Sequence, residues 1–234
     1  MSFIQYLRFH AGPASPAEAE HPAEVAYTRI KQGILNLTYL PGEKLSEVSL
    51  SADWQIGLSP IQSALARLQG EKWVVVLPQS GTFVRVLETG ELEELSELRL
   101  LLECHATRAA TTRITTEQLA ELRTLFNELK AKCVEGYISE LSALDTRFHS
   151  TIYRVAGNRR IEEILLNLKD QIVWVRAVTA ALPGRVTESL LEMDQILDAM
   201  ERRDTDAAEA AMARHIGNIA ETFKSMPSDG PRQR

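Results

Sequence analysis

The chain of 234 residues is long enough for two modest domains. Hydrophobic residues make up 44% of it and charged residues 25%, which excludes an intrinsically disordered polypeptide. No run reaches the ~18 apolar residues that a membrane span needs. Two cysteines, Cys104 and Cys133, are too few for a disulfide framework, so we expect a reduced protein of the cytoplasm.

The net charge of −6 is unevenly distributed along the chain. Residues 1–86 contain seven Lys or Arg and seven Asp or Glu, so the whole net charge lies in residues 87–234. A neutral N-terminal segment can neutralise few phosphates. Any binding of DNA is therefore expected to be modest for each copy of the chain and to gain from dimerisation.

A flexible lead-in over residues 1–22, rich in Ala, Pro and Glu, is predicted to precede two helices. Apolar residues follow helical spacing from Val25 to Leu35, and the Pro-Gly pair at residues 41–42 is a strong helix breaker. A serine at the N-cap predicts the second helix over residues 46–54.

A third helix and a hairpin follow. Gly57 suits the end of the second helix, and Ser59-Pro60 suits the N-cap and first turn of a third helix that runs to Leu68. Residues 73–87 contain two β-branched and aromatic runs around Pro78-Gln79-Ser80-Gly81, which is typical of a β-hairpin. Three helices and a hairpin predict a winged helix-turn-helix over residues 23–87, whose third helix would enter the DNA major groove.

Nearly all of the remaining sequence predicts helix, after a short linker at residues 88–91. The predicted helices are residues 91–111, 116–134, 138–157, 159–180, 186–202 and 204–225. They would form an all-α bundle of six to seven helices over residues 91–227, followed by a disordered tail at residues 228–234. The expected fold class is therefore mainly α.

Polar side chains on the third helix and the hairpin are candidates for DNA contact. Gln can bond adenine at two points, and Arg can do so with guanine or bind a phosphate. For any single residue, a solvated helix face is the alternative. The candidates are Ser59, Gln62, Ser63, Arg67, Gln79, Ser80 and Arg85.

Three segments, residues 39–47, 56–68 and 78–84, resemble the GntR family of bacterial regulators. The later helices resemble its FadR-type branch, whose ligand-sensing domain is called FCD, so that the resemblance covers roughly residues 23–225. It implies a ligand-responsive regulator. We expect a homodimer, because a half-site reader with so little basic charge gains from two copies on a pseudo-palindromic operator. The family usually has Arg and a small polar residue between the equivalents of Ser59 and Pro60. Either operator binding is weakened or altered here, or two residues are missing from the sequence.

The resemblance also implies residues that contact the ligand. Arg99 would bind a ligand carboxylate, for which its planar fork is well shaped; spacing alone favours an exposed i,i+4 pair with Glu103. Arg176 resembles a second cavity residue. Asn158 matches a further family position, although it could instead cap the next helix.

Asp145 and His149 are four residues apart, hence on one helix face, where they could hydrogen-bond or share a metal ion. The resemblance adds His215 and one more histidine, and the chain has Met193 at that position. A thioether is a poor ligand for zinc, nickel or manganese. The three remaining residues predict either one divalent metal, with water or a ligand carboxylate completing its shell, or a polar cavity wall.

We therefore interpret the sequence as a ligand-responsive DNA-binding regulator, in this family most often a repressor, that is controlled by a small organic acid. One alternative is a metal-dependent enzyme at Asp145, His149 and His215. Against it, the sequence has no evident nucleophile motif, Gly-rich phosphate loop or general base beside the proposed metal. The other alternative is a family member with impaired DNA binding. We expect no enzymatic activity and no membrane partner.

Overall fold

A computed structural model describes residues 21–134 and 138–225. The predicted lead-in up to residue 20 and the predicted tail lie outside these residues. The chain divides into two compact units. The first contains residues 43–85 with the described residues up to 32, and the second contains residues 33–42 and 86–225. No helix in the described ranges is both long enough and apolar enough to cross a membrane.

The first unit has the architecture predicted from its sequence, with three helices and a β-hairpin. Its elements are α1 (Pro22–Leu35, whose last three residues belong to the second unit), β1 (Lys44–Leu45), α2 (Glu47–Trp54), α3 (Leu58–Gly70), β2 (Val74–Leu77) and β3 (Gly81–Val84). The predicted winged helix-turn-helix is confirmed. The strand β1 is an addition: it pairs antiparallel with β3, which makes a sheet of order β1-β3-β2.

Two helix ends in the first unit follow local hydrogen bonding. Ser46 caps α2 as predicted, because its hydroxyl accepts a hydrogen bond from the backbone N–H of Ser49. The predicted N-cap at Ser59 is wrong, since α3 begins at Leu58 with Gly57 as its N-cap. Pro60 therefore lies in the first turn of α3, where a missing N–H is tolerated.

The core of the first unit is built from apolar side chains of its helices and hairpin. Ile30, Ile61, Leu68, Val74 and Val84 are all buried. Burial of each such side chain contributes about 1.5–3 kcal/mol relative to exposure. This core fixes α3 beside the hairpin and leaves the polar face of α3 exposed.

The second unit is the predicted helical bundle. Its helices are α4 (Thr89–Arg113), α5 (Thr116–Val134), α6 (Ile138–Val155), α7 (Arg159–Asn167), α8 (Lys169–Ala180), α9 (Arg185–Glu201) and α10 (Thr205–Lys224). The single helix predicted over residues 159–180 is wrong: it is interrupted at Leu168. The predicted linker is also too long, because Glu88 and Glu91 form a capping box that starts α4 at Thr89.

The core of the second unit contains both apolar and charged side chains. Phe126, Phe148 and Ile216 are buried in one hydrophobic cluster. Arg99 and Glu103 are buried in the same unit, with exposed fractions of 1% and 0%. Charged side chains are rarely buried unless they are paired, so these residues locate the candidate site.

Candidate ligand site and nucleic-acid interface

The second unit encloses a cavity of about 230 Å³. Drug-sized ligands occupy pockets of about 300–1,000 Å³, so this cavity suits a smaller molecule. Three ionisable side chains line it: Asp145, Arg176 and His215. Much of the remaining wall is apolar and includes Leu129, Ala177, Ala180, Val186, Leu190 and Met193.

Three helices bring the ionisable residues together. Asp145 and His149 lie on one face of α6, Arg176 on α8 and His215 on α10. The Asp145 carboxylate accepts a hydrogen bond from Arg176 Nη1 at 2.5 Å, and its other oxygen lies 3.6 Å from His149 Nε2. The rings of His149 and His215 are stacked with centroids 5.4 Å apart. The residues that the sequence predicted as one site are therefore neighbours.

Arg99 and Glu103 extend this cluster from α4. Arg99 Nε donates to Glu103 Oε1 at 2.6 Å, and both side chains are buried, so the exposed pair that spacing alone favoured is instead an internal one. The second oxygen of Glu103 is 3.3 Å from His149 Nδ1 and 3.8 Å from Arg176 Nη2. Arg99 does not line the described cavity. Glu103 joins Arg99 to the cavity-lining Arg176.

The charges in this cluster follow from burial and from neighbouring groups. Burial disfavours the charged forms of Glu103 and Asp145, but Arg99 beside Glu103, Arg176 beside both carboxyls and the neighbouring histidines outweigh it. The pKa of each carboxyl therefore lies below its usual range. Burial, with the nearby Arg176, lowers the pKa of His149 to about 4. At neutral pH the carboxylates are charged and this imidazole is neutral.

Glu192 on α9 is a residue of the site that sequence reasoning missed. Its carboxylate accepts two hydrogen bonds from Arg185, at 3.0 and 2.9 Å, and one from Asn218 at 2.8 Å. His215 Nδ1 lies 2.7 Å from it. Burial opposes the charge of Glu192, but these partners lower its pKa to about 2. The spacing of Arg185 and Glu192 in the sequence gave no signal of this contact.

The tautomer of His215 follows from Glu192. Burial lowers the pKa of His215, so the ring is neutral at pH 7 and carries one proton. A charged carboxylate can only accept a hydrogen bond, so that proton is on Nδ1. His215 Nε2 is then an acceptor, and it has no hydrogen-bond partner among the described residues.

The predicted metal ligands do not fit a divalent cation in this arrangement. Arg176 occupies the Asp145 carboxylate, and a cation beside it would be repelled by the guanidinium. Met193 supplies a thioether to the cavity wall. Across the described residues, no group of three or more His, Cys, Asp or Glu side chains is arranged to hold a metal ion.

Asn158 lies outside the cavity. Its side-chain oxygen accepts hydrogen bonds from the backbone N–H groups of Arg160 and Ile161 at 3.1 and 3.3 Å. The residue is exposed and caps α7. The structure thus places it in the capping role that the sequence left open.

The predicted DNA contacts divide into exposed and internally bonded residues. Ser59, Gln62 and Ser63 are exposed on one face of α3, where Gln62 donates to Glu47 at 2.9 Å. Gln79 and Ser80 are exposed in the turn between β2 and β3. Arg85 is half-buried just after β3.

Arg67 is bonded within the first unit. Its guanidinium lies 3.7 Å from the centre of the Tyr27 ring. It donates to Glu24 at 3.0 and 2.9 Å and to Glu71 at 3.1 Å. Lys31 also pairs with Glu71, at 3.2 Å. From the sequence, the i,i+4 spacings of Arg67 with Glu71 and of Tyr27 with Lys31 could have indicated this network.

Comparisons with known proteins agree with both units. Residues 22–84 match the gntR family of bacterial regulatory proteins, and residues 94–218 match the FCD domain. The HTH-type transcriptional repressor RspR of Escherichia coli strain K12 is 24% identical over 200 residues, covering 86% of this chain and 88% of its own. The Nta operon transcriptional regulator of Aminobacter aminovorans is 28% identical over 205 residues, covering 83% and 96%.

A solved structure has the same fold. The putative GntR transcriptional regulator from Rhodococcus sp. RHA1 superposes with a TM-score of 0.69 at 20% identity, covering 88% of this chain and 99% of that chain. The fold is therefore shared with an experimentally determined protein.

Proposed function

Because the chain belongs to the GntR family of bacterial regulatory proteins and carries an FCD domain, we propose that it is a homodimeric repressor released from operator DNA by a small organic acid. The family establishes the coarser function, a DNA-binding transcription regulator with a ligand-sensing domain. Both matched domains and the named relatives belong to regulators, not enzymes. We expect it to act in the cytoplasm, because its proposed target is operator DNA.

The observation that carries the proposal is the set of unused donors at the cavity. Arg176 lines the cavity, and its Nε and Nη2 have no hydrogen-bond partner among the described residues. Nη2 lies 3.8 Å from Glu103, beyond hydrogen-bond distance, and a guanidinium whose Nε and Nη2 make no hydrogen bond with the described residues suits a pair of carboxylate oxygens. An acid that binds there meets a donor that the protein itself leaves unsatisfied.

Control of DNA binding follows from linkage. An acid that binds one arrangement of the dimer better than another changes operator affinity by that differential affinity. Operator DNA must then weaken binding of the acid by the same factor. Relief of repression corresponds to an acid that prefers the arrangement with the lower operator affinity.

For the DNA contacts we propose Ser59, Gln62 and Ser63 on α3. We also propose Gln79, Ser80 and Arg85 in the wing, which is the β2–β3 hairpin with the residue that follows it. The exposed polar face of α3 supports the first group, and the exposed turn after β2 supports the second. Arg67 is assigned to the internal network around Tyr27. With the family's usual arginine missing before Pro60, operator binding is expected to be weak and strongly salt-dependent.

The divalent metal that the sequence predicted at Asp145, His149 and His215 is not part of this proposal, because these side chains do not fit a cation as they are arranged in the described residues. It would require Arg176 to leave the Asp145 carboxylate. Elemental analysis of protein purified with added zinc or nickel tests it: stoichiometric metal supports the three-residue site, and its absence leaves these residues as a polar cavity wall.

Operator binding with and without acids tests the proposal. Fluorescence anisotropy with DNA from the region upstream of the protein's own gene should show saturable binding at low salt. A panel of sugar acids, hydroxy acids and simple carboxylates should contain at least one acid that lowers this affinity. A negligible signal at low salt would support the family member with impaired DNA binding, and turnover of any acid would support the enzyme.

A further inference from the structure

The charged groups around the cavity are already balanced. Arg99 and Arg176 face Glu103 and Asp145, and Arg185 faces Glu192. A ligand with one carboxylate adds one negative charge to this buried cluster, beside Arg176. Arg176 is the arginine that lines the cavity, so one carboxylate can bind beside it, whereas a second would meet no further lining Arg or Lys among the described residues, and burial of unpaired charge is costly.

His215 favours a different ligand group, a hydroxyl. Its Nδ1 lies 2.7 Å from the Glu192 carboxylate, and its Nε2 has no hydrogen-bond partner among the described residues, in a side chain that is 1% exposed. A ligand hydroxyl would donate to it without altering the charge balance. The ionisable part of the cavity therefore combines a donor for a carboxylate, at Arg176, with an acceptor for a hydroxyl, at His215.

The rest of the wall is mainly apolar, with Asn36, Thr179 and Ser189 as its other polar side chains. Leu129, Val186, Leu190 and Met193 contribute hydrocarbon or thioether surface, and Ala177 and Ala180 contribute methyl groups. The Thr179 hydroxyl, which also lies at the cavity, already donates to a backbone carbonyl in its own helix. A sugar acid has more hydroxyl groups than Asn36 and Ser189 can pair with, so some of them would lie unpaired against the apolar part of the wall.

We propose that the effector is a hydroxy monocarboxylic acid with an apolar body, bound by Arg176 and His215 without a metal ion. Arg176 takes the place of a metal as the cation of the site, where it neutralises Asp145 and receives the ligand carboxylate. The inference rests on the proposed function, because it names the class of acid that the regulator senses.

A matched set of probes separates the three features. Mandelate carries a carboxylate, a hydroxyl and an apolar body; phenylacetate lacks the hydroxyl, mandelamide lacks the charge and lactate lacks the apolar body. Calorimetry on the full-length protein should show mandelate binding at least tenfold more tightly than each of the others. A parallel set built on 2-hydroxyhexanoate guards against a poor fit of the aromatic ring. Equal affinity for lactate, or no binding in either set, would overturn the proposal.

Two substitutions test the polar part of the site, formed by Arg176 and His215. Arg176→Lys keeps the charge but loses the planar fork, so affinity for mandelate should fall at least tenfold. His215→Phe should abolish the difference between mandelate and phenylacetate, a readout that a general loss of packing would not produce. If the difference persists in a folded His215→Phe protein, the assigned role of His215 is wrong.

A matched pair of substitutions tests the apolar wall of the cavity. Ala180→Leu fills the cavity, whereas Ala181→Leu adds the same group at an exposed neighbouring position. Only the first should weaken mandelate binding, by at least tenfold. Equal effects of the two substitutions would contradict the assignment of the apolar wall.

Chelation tests the absence of a metal requirement. Dialysis against EDTA should leave mandelate affinity unchanged, and a tenfold loss that zinc restores would overturn the metal-free site. These results are separable from the proposed function. If a sugar acid binds only with a metal ion and releases operator DNA, the inference is refuted and the proposed repressor stands. If mandelate binds but has no effect on DNA binding, the inferred ligand class stands and the proposed repressor function is refuted.

Discussion

At the scale of single residues, the second unit holds its buried charges in pairs. Arg185 and Glu192 are the clearest case, since two nitrogens of one side chain meet two oxygens of the other. Such a pair contributes little net stability compared with apolar packing, but loss of one partner leaves a buried charge alone. The pair also fixes the proton of His215.

Removal of the Arg185 side chain should therefore be strongly destabilising. We expect Arg185→Met to lower the free energy of unfolding by about 3–5 kcal/mol, because the Glu192 carboxylate loses its two-point partner. Urea denaturation followed by far-UV circular dichroism measures the change. Arg160→Met is the control, since Arg160 pairs with Glu163 on the surface. The control should change stability by less than about 1 kcal/mol, and equal effects would show that burial of the pair is unimportant.

Glu71 predicts a pH dependence in the first unit. Burial opposes its charge, but hydrogen bonds from Tyr27 and Lys31, with the contact to Arg67, lower its pKa below the ordinary value of 4.5. Its charged form thus stabilises the folded state fully above pH 4.5 and is lost as pH falls through the lowered folded-state pKa. The Tm difference between the wild type and Glu71→Gln should be largest near neutral pH and should shrink below pH 4.5. A difference that grows in acid would contradict this sign.

Sequence reasoning found the residues of the site better than their partners. Asp145, His149, Arg176 and His215 were predicted and lie together. Glu192 was missed because its contacts with His215 and Asn218 join different helices, and no spacing within one helix records them. Arg67 was predicted to contact DNA, whereas it bonds inside the first unit. Its partner Glu24 is distant in sequence, so no spacing indicated this contact either.

At the scale of elements, turns were predicted where the residue type demands the backbone conformation. Gly81 ends the hairpin turn with φ of +113°, a value that side chains with a Cβ rarely adopt. The break at Leu168 was missed because neither proline nor glycine marks it. The strand β1 was missed because two residues are too few for an alternating pattern.

Gly81→Ala should accordingly destabilise the wing. The strained φ costs about 1–3 kcal/mol, and a Cβ there would lie 2.9 Å from Lys44 Cε. Gly70→Ala is the matched control, because a Cβ at Gly70, in the last turn of α3, meets no atom of the described residues within 4 Å. The control should be neutral or stabilising by up to ~1 kcal/mol. Thermal unfolding monitored by tryptophan fluorescence distinguishes them, and equal stability of the two variants would contradict the strain.

At the scale of the whole molecule, the charge pattern limits how DNA can be bound. Residues 1–86 are neutral overall, and two of their seven basic side chains, Lys31 and Arg67, are paired with carboxylates inside the first unit. These two side chains are therefore not available to replace counterions on the phosphates. The sequence predicted the low affinity from composition, but only the structure shows which cations are already occupied.

The salt dependence of operator binding separates an occupied cation from one that contacts phosphate. The slope of log K against log salt changes by about 0.9 for each phosphate contact that is lost. Arg67→Gln should leave the slope unchanged while lowering Tm, because Arg67 bonds Glu24, Glu71 and Tyr27. Arg85→Gln should make the slope shallower by about 0.9 per protomer. Anisotropy titrations between low and moderate salt measure both, and a shallower slope for Arg67→Gln would return that residue to the DNA interface.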